Sequence, residues 1–266
     1  MPLKGGQNGA MYVNLQPTQL NLLGLPLHKV DMAYALDHIE SFLYSDSSHM
    51  VVTLNSEMVV MAQRDLELKE AIINADVVVP DSVGILWACG FLGHPLPERV
   101  AGADLVYALL EKGASKGWRF FFLGGRPGVA EIAAEEISRD FPGIQVVGWH
   151  HGFFESIEEG EVISSINSAR PHILLVGMGV PKQEKWIASH IHDLRDLHVP
   201  ISIGVGGTID LLAGKAQRAP LWIRNLSLEW LYRILRQPQR FIRACALPRF
   251  VFLVLRFKVE DGAKDE

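Results

Sequence analysis

Short runs of apolar residues, rich in β-branched and aromatic side chains, recur along the chain with more polar stretches between them. Each run has the length and composition of a buried strand, and the runs occupy residues 49–55, 75–82, 119–125, 144–149, 172–179 and 201–207. Amphipathic helices are predicted between several of them, at 102–117, 128–143 and 181–197. Continuously apolar strands alternating with helices predict an α/β fold, with a mostly parallel sheet covered by helices on both faces. Such sheets bind ligands at the carboxyl ends of their strands, so the residues just after each run are the candidates for function.

Composition and charge narrow the classes of protein that this chain belongs to. With 266 residues, of which 48% are hydrophobic and 21% charged, the chain is able to bury a large core, and disorder is not expected. A net charge of -5 argues against a general nucleic-acid binder, so no nucleic-acid partner is predicted. Cys89 and Cys245 lie far apart and outside any C-x-x-C, which indicates a reducing compartment rather than a disulfide framework or a zinc site.

The sequence divides into three predicted parts. Residues 1–17 lack the continuous apolar core of a secretory signal, and we expect them to form a loose leader. The main α/β domain is predicted at 18–214, and a basic appendage at 215–266. The longest late apolar run, at 250–255, is far shorter than the roughly 18 to 20 residues that a spanning helix needs, so the protein is not expected to cross a membrane.

Three of the predicted strands end in glycine-rich loops, at 123–128, 177–184 and 204–210. Glycine lets the backbone approach a ligand, and the helix after each loop offers free N–H groups to a phosphate. The loops therefore predict a nucleotide site, although tight strand-to-helix turns favour glycine without any ligand. The substrate-binding candidates in these loops are Gly124, Gly125, Gly177, Gly179, Gly206 and Gly207.

Motifs for the common nucleotide cofactors and for metals are missing from the sequence. No acidic residue follows the first glycine loop to hold an NAD ribose, because the next strand ends in Trp149, His150 and His151. No Walker A loop occurs, and the ten histidines lack the spacing of a metal motif. We therefore predict no cofactor and no metal site, and a bound diphosphate needs another source of positive charge.

Basic residues near the C-terminus are able to supply that charge. Between Lys215 and Lys258 the sequence has ten Lys or Arg residues and a single acid, Glu229. The four that fall on one stripe of a predicted helix are Arg233, Arg236, Arg240 and Arg243. A basic amphipathic helix predicts contact with an anionic membrane surface, whereas a helix packed by its apolar side with a solvated charged face is the simpler alternative. Pro238 leaves the stripe intact only if the kink that it introduces is mild.

Seven stretches combine these features in order over roughly residues 20–245. They are TLNSEM (53–58), ADVVVPDSVGI (75–85), ERVAGADL (98–105), FFLGGRPG (121–128), GMGVPKQEKW (177–186), GVGGTIDLLAGKAQRAP (204–220) and LEWLYRILRQPQR (228–240). Together they resemble the bacterial WecG/TagA/CpsF glycosyltransferase family, far more specifically than any one glycine loop does. The resemblance implies a Rossmann-like catalytic core with a C-terminal membrane-targeting appendage.

The resemblance also implies a function. Members of the family move an N-acetylmannosamine-type sugar from a UDP donor to an undecaprenyl-diphosphate-linked N-acetylglucosamine, with inversion and without a required metal. Their products enter wall teichoic acid, enterobacterial common antigen or related cell-surface polysaccharides. We expect a UDP-sugar-dependent hexosyltransferase, peripheral on the cytoplasmic face of the membrane. Its expected partners are a UDP-sugar, a polyprenyl-diphosphate-linked sugar and the anionic membrane surface, and a homo-oligomer is left open.

Matching positions in the motifs suggest roles for single residues. Asp81 corresponds to the family's proposed base, although an Asp that caps the helix following it would explain the same residue type. Thr53 is a second catalytic candidate, and Asn55 is a substrate-binding one. Arg99 matches a sugar- or phosphate-binding position, with a surface ion pair as the alternative. Gln183 matches a donor-site position, with an exposed first-turn glutamine as the alternative.

The family pattern also suggests how the diphosphate is bound. Arg218, Arg233 and Arg240 are the best matches, and sequence does not divide the basic residues between donor phosphates and lipid headgroups. We hypothesise that the appendage folds over the site only at the membrane, because the core motifs supply few cations. Ser82 and Ala101 depart from the family pattern, which leaves the sugar specificity open. Two competing functions remain, an enzyme of another nucleotide-dependent class and a noncatalytic nucleotide-binding protein of the membrane surface.

Overall fold

A computed structural model of the chain describes residues 17–220, 223, 232 and 246–262. Strands and helices alternate along these residues. The strands are β1 (Gln19–Leu22), β2 (Leu25–His28), β3 (His49–Leu54), β4 (Val77–Pro80), β5 (Arg119–Gly124), β6 (Gln145–His150), β7 (Ile173–Gly177) and β8 (Ile201–Gly204). The helices are α1 (Met32–Ser41), α2 (Ser56–Ala62), α3 (Leu66–Ile73), α4 (Val83–Phe91), α5 (Gly102–Lys116), α6 (Val129–Asp140), α7 (Glu159–Ala169), α8 (Lys182–Ser189), α9 (Ile191–Asp196), α10 (Thr208–Leu212) and α11 (Ala246–Gly262), with a 3-10 turn at Phe42–Tyr44.

Six of the strands form one parallel sheet in the order β4-β3-β8-β7-β5-β6. They are the six runs that the apolar pattern predicted, so the α/β prediction is confirmed. Every residue of β4 and β8 is buried, which explains why these strands read as unbroken apolar runs. The helix predicted at 181–197 is divided at His190 into α8 and α9.

Side chains of the sheet alternate between two hydrophobic clusters, one on each face. In β5, Phe120 and Phe122 belong to one cluster, and Phe121 and Leu123 belong to the other. Helices α1, α5, α6 and α10 close the first cluster, whereas α2, α3, α4, α8 and α11 contribute to the second. Both faces of the sheet are therefore covered by helices, as predicted.

A small antiparallel hairpin, which the apolar pattern did not predict, precedes the sheet. β1 and β2 pair around a turn at Leu23 and Gly24, whose φ angles are 56° and 82°. Two successive positive φ angles are typical of a type I′ turn, which suits a two-residue hairpin. His28 Nδ1, at the end of β2, accepts a hydrogen bond from Val78 N at 2.9 Å. The hairpin thus lies beside the edge strand β4 and covers part of that edge.

The strand order determines where a ligand is expected to bind. The chain passes outward from β3 to the edge strand β4 and then crosses to β5 on the other side of the sheet. Helix α2, which follows β3, and helix α10, which follows β8, cover opposite faces of the sheet, so the connections diverge between these two strands, and parallel sheets bind ligands at such a point. Thr53 Oγ1, near the end of β3, donates to Gly204 O, at the end of β8, over 3.4 Å.

Helix α11 packs on the core although it lies far along the chain. It contacts α2 and α4, and its own residues Phe250 and Val254 are completely buried. The boundary between the main domain and an appendage at residue 215 stays a prediction. Residues 1–16 and the arginine stripe at 233–243 lie outside the described residues. Within the described part of the chain, no helix is both long and apolar enough to cross a membrane.

Candidate active site

A cavity of about 630 Å³ opens at the carboxyl ends of β3, β4, β7 and β8. It lies at the point between β3 and β8 where the strand order predicts a ligand. Helices α2, α4, α5, α8, α10 and α11 contribute the remaining walls. The predicted site residues that line it are Thr53, Asn55, Asp81, Arg99, Gly179, Gln183, Gly206, Gly207 and Arg218.

Asp81 stands directly after β4 on the wall of this cavity. Its backbone N–H donates to Leu54 O at 2.9 Å, which fixes it against the end of β3. Its Oδ1 accepts a 2.6 Å hydrogen bond from the N–H of Gly102, the first residue of α5. The N-cap residue of α4, the helix that follows Asp81 in sequence, is Ser82. The carboxylate is instead oriented by the N-terminus of α5, a helix that begins about twenty residues later.

Thr53 and Asn55 lie where β3 passes into α2. Thr53 packs against Gly102, since a Cβ on that glycine would lie 3.1 Å from Thr53 Oγ1. Asn55 is the N-cap of α2, and its Oδ1 accepts from Met58 N at 3.0 Å. Asn55 therefore caps a helix at the cavity wall, a role that the family resemblance did not suggest.

Ser82 connects the turn before α4 to the first residue of α2. Its Oγ accepts from Ser56 N at 3.3 Å and lies 3.2 Å from Ser56 Oγ. A Cβ on Gly84 would collide with the same Ser56 hydroxyl, so glycine is required there. Both hydroxyls line the cavity. The departure of Ser82 from the family pattern thus adds a hydroxyl group to this wall.

Gln183, in the first turn of α8, holds two of the glycine loops together. Its Oε1 accepts hydrogen bonds from Gly179 N at 3.1 Å and from Gly206 N at 2.9 Å. Its Nε2 donates to Glu184 Oε1 at 2.7 Å. Only 2% of Gln183 is exposed, which excludes the alternative of an exposed first-turn glutamine.

Three of the predicted glycines, Gly124, Gly125 and Gly177, do not line this cavity. They lie where the ends of β5 and β7 meet the loop after β8. A Cβ on Gly124 would lie 2.5 Å from Gly177 O, and a Cβ on Gly177 would lie 2.7 Å from Gly206 O. Because real Cβ atoms do not approach so closely, close backbone packing accounts for glycine at positions 124 and 177.

Two arginines bring positive charge to the described part of the cavity, Arg99 and Arg218. Arg218 Nη2 donates to Asp104 Oδ1 at 2.6 Å, and its guanidinium lies 5.8 Å from the centre of the Tyr107 ring. Both partners belong to α5, so this helix holds the guanidinium at the wall. The other predicted arginines, Arg233, Arg236, Arg240 and Arg243, lie outside the described residues.

Several histidines of the described residues pack with neighbours in the fold. His150 Nδ1 lies 2.9 Å from His151 O, and the His190 ring stacks on Trp186 with 4.7 Å between ring centres. Among residues 17–220, 223, 232 and 246–262, no three His, Cys, Asp or Glu side chains gather where they would hold a metal ion. The positive charge that the structure shows at the cavity is that of arginine.

Comparison with known proteins adds to this geometry. A family model described as the glycosyl transferase WecG/TagA/CpsF family matches residues 20–264. The chain belongs to this family. One relative, the N-acetylglucosaminyldiphosphoundecaprenol N-acetyl-beta-D-mannosaminyltransferase of Bacillus spizizenii, is 32% identical over 222 residues, which cover 83% of this chain and 84% of that protein. The protein of the same name from Staphylococcus aureus strain MW2 is 30% identical over 242 residues, covering 90% and 93%.

Membership of the WecG/TagA/CpsF family confirms the resemblance that the seven motifs predicted. Several residues of the cavity were nevertheless missed. Glu57, in the first turn of α2, adds a second carboxylate to the wall, and its place in the TLNSEM motif was a usable signal. Trp87 from α4 and Phe250 from α11 add apolar side chains to the wall, of which Trp87 is exposed and Phe250 is completely buried. Phe250 had no local signal, because its position depends on how a distant helix packs on the core.

Proposed function

We propose that the chain is an inverting glycosyltransferase that moves an N-acetylmannosamine-type sugar from a UDP donor to undecaprenyl-diphosphate-linked N-acetylglucosamine. The observation that carries the proposal is the cavity, whose walls bring Asp81 together with Arg99 and Arg218. A carboxylate for the attacking hydroxyl and cations for the departing diphosphate are the groups that such a transfer requires. The relatives from Bacillus spizizenii and Staphylococcus aureus are named for transfer of N-acetylmannosamine to N-acetylglucosaminyldiphosphoundecaprenol.

In the proposed step the acceptor hydroxyl attacks the anomeric carbon of the donor sugar. The bond from that carbon to the diphosphate oxygen breaks as the glycosidic bond forms, and UDP leaves with the bonding electron pair. The hydroxyl proton passes to Asp81, whose carboxylate is oriented by Gly102 N. Attack from the face opposite the leaving group inverts the anomeric centre.

Negative charge grows on the diphosphate as the bond to the sugar breaks. Arginine binds phosphate oxygens through charge-assisted hydrogen bonds, and a preorganised guanidinium stabilises this charge without rearrangement. Arg218 meets this condition because Asp104 and Tyr107 hold it at the wall. The loops at Gly179 and Gly206 allow the donor to approach the backbone closely. No cofactor enters this mechanism, since the UDP-sugar is itself a substrate.

Helix α11 supports a membrane-surface location for the proposed reaction. Its Phe252, Leu255 and Val259 are exposed by 64%, 44% and 73%. They share one face of the helix with the exposed Arg249 and Arg256. An exposed apolar stripe flanked by arginines suits an anionic membrane surface, where a lipid-linked acceptor is held. We therefore propose a peripheral protein, on the cytoplasmic face as the family resemblance implies.

An assay of UDP-sugars against a short-chain polyprenyl-diphosphate-linked N-acetylglucosamine tests the proposal. We expect transfer from UDP-N-acetylmannosamine by the wild type, and a loss of about a hundredfold or more in Asp81→Asn. Asp37→Asn is the matched control, because Asp37 is exposed and pairs with Lys112 away from the cavity. Undiminished transfer by Asp81→Asn would remove the base assignment. Absence of transfer from every UDP-sugar would refute the proposed function.

A further inference from the structure

Glu184 is a buried carboxyl group that the proposed reaction does not use. It follows Gln183 on α8 and is only 1% exposed. Burial raises the pKa of this carboxyl to about 7. Its Oε2 has no hydrogen-bond partner among the described residues. A buried carboxyl with an unsatisfied oxygen is unfavourable for folding, so its presence at this position needs an explanation.

The hydrogen bond between Gln183 and Glu184 provides one. Gln183 Nε2 donates to Glu184 Oε1 at 2.7 Å, while Gln183 Oε1 accepts from the N–H groups of Gly179 and Gly206. A side-chain amide has one donor end and one acceptor end. Because an acceptor lies on one side of this amide and two donors lie on the other, only one orientation satisfies all three bonds.

A nonpolar residue at position 184 would remove one of these three bonds. The NH2 end of Gln183 would then be buried without an acceptor, which is unfavourable. If the amide turned over instead, its NH2 group would face the two backbone donors of Gly179 and Gly206. An amide that turns over loses both bonds to the loops after β7 and β8, and an amide that moves away to find another acceptor for its NH2 group withdraws its oxygen from the same loops.

A glycine on the neighbouring strand makes room for this pair of side chains. Gly204 is the last residue of β8, a strand that is buried along its whole length. A Cβ at Gly204 would lie 2.7 Å from Gln183 Nε2 and 2.9 Å from Glu184 Oε1. Any side chain at Gly204 would therefore displace the atoms that form the hydrogen bond.

We propose that Glu184 is a positioning residue for the donor end of the site. Its carboxyl group fixes the Gln183 amide, and the amide fixes the Gly179 and Gly206 loops that line the cavity. The identity of the donor, a UDP-sugar, rests on the proposed function, whereas the effect on the loops does not. Loss of the acceptor at Glu184 loosens both loops and weakens donor binding.

Backbone hydrogen exchange of the full chain tests the effect on the loops without any nucleotide. In Glu184→Met, the amides of Gly179 and Gly206 should exchange at least about tenfold faster than in the wild type, because each loses its acceptor. Glu184→Gln is the matched control, since its amide oxygen still accepts from Gln183 and protection should be retained. Equal exchange of both loops in Glu184→Met and the wild type would overturn the proposal.

A double variant keeps the test decisive if Glu184→Met does not fold. Gln183→Glu combined with Glu184→Gln exchanges the two groups. The carboxylate then accepts from both glycine N–H groups, and the amide at position 184 donates to it. Protection of the two loops should be preserved, and its loss would contradict the proposal.

Titration with UDP tests the effect on the donor site. The dissociation constant for UDP should rise about tenfold or more in Glu184→Met, and Glu184→Gln should restore most of the affinity. In a Gln183→Ala background, Glu184→Met should add no further loss, because the carboxyl acts through the amide. Additive losses would show a separate structural effect and would overturn the proposal. A wild type that binds no UDP would refute the proposed function, while the exchange measurement would still decide the role of Glu184.

Discussion

Replacing Glu184 by Gln should make the stability of this protein less sensitive to pH. Burial raises the pKa of the carboxyl from 4.5 to about 7 in the folded chain. Below about pH 4.5 the group is neutral in both the folded and the unfolded chain, and it adds no pH-dependent cost. Between pH 4.5 and 7 the unfolded chain releases its proton while the folded chain retains it, so the wild type loses stability as the pH rises. Above about pH 7 this loss is complete.

The size of the loss follows from the two pKa values. The difference between 4.5 and about 7, at about 1.4 kcal/mol for each pH unit, gives about 3 kcal/mol. Most of it, roughly 2 to 3 kcal/mol, falls between pH 5 and pH 8. Glu184→Gln also buries an amide NH2 group at the position of the unpartnered Oε2, at a cost of about 1–3 kcal/mol, but this cost is the same at every pH. The change in the stability difference with pH is therefore the diagnostic quantity.

Urea unfolding of the wild type and Glu184→Gln at pH 5 and pH 8, followed by tryptophan fluorescence, measures this quantity. The free energy of unfolding of Glu184→Gln relative to the wild type should increase by roughly 2 to 3 kcal/mol from pH 5 to pH 8. Glu135→Gln is the matched control, because Glu135 is exposed on α6 and its replacement should change this difference by less than about 0.5 kcal/mol. The same difference at both pH values would show that Glu184 ionises in the folded protein as it does in water, which contradicts a raised pKa.

Three further results are expected from the cavity and the core around it. Arg218→Lys should lower kcat/KM for sugar transfer by about tenfold or more although it keeps the charge. Arginine has a planar fork of donors that is able to pair with Asp104 and bind a phosphate at the same time, and lysine lacks this fork. Wild-type kcat/KM in that variant would contradict the assignment. Phe250→Ala should lower the free energy of unfolding by about 3–5 kcal/mol, since the ring is completely buried, and unchanged urea midpoints would show that α11 does not pack there. Gly113→Ala should cost roughly 1–3 kcal/mol despite the helix preference of alanine, because the new Cβ would lie 2.5 Å from the Phe120 ring; equal stability by urea unfolding would argue against that contact.

The parallel sheet was predictable because strands covered on both faces are apolar along their whole length. The runs at 75–82 and 201–207 show this directly, since β4 and β8 are entirely buried. The β1–β2 hairpin was not predictable in the same way. Its strands have four residues each, and its turn begins at Leu23, a residue type that does not signal a positive φ angle.

The site was predictable where a residue directly follows a strand, as Asp81 follows β4. The glycines could not be divided by sequence alone, because Gly177 and Gly179 are two residues apart and only the second lines the cavity. No feature of the sequence around Glu184 signals its burial, since that burial depends on Gly204 of strand β8. In sequence it is simply an acidic residue in the first turn of a polar helix, a position where a solvated side chain is the ordinary expectation.

The first turn of α5 constrains the redesign of this enzyme. Gly102 orients the carboxylate of Asp81, and Asp104, two residues later, holds the guanidinium of Arg218. The spacing between Asp81, the proposed base, and Arg218, proposed to bind the diphosphate, is thus set by a single short piece of backbone. Engineering for a different sugar should leave this turn unchanged and vary Ser82 beside Ser56, where a hydroxyl can be added or removed while the spacing between Asp81 and Arg218 is kept.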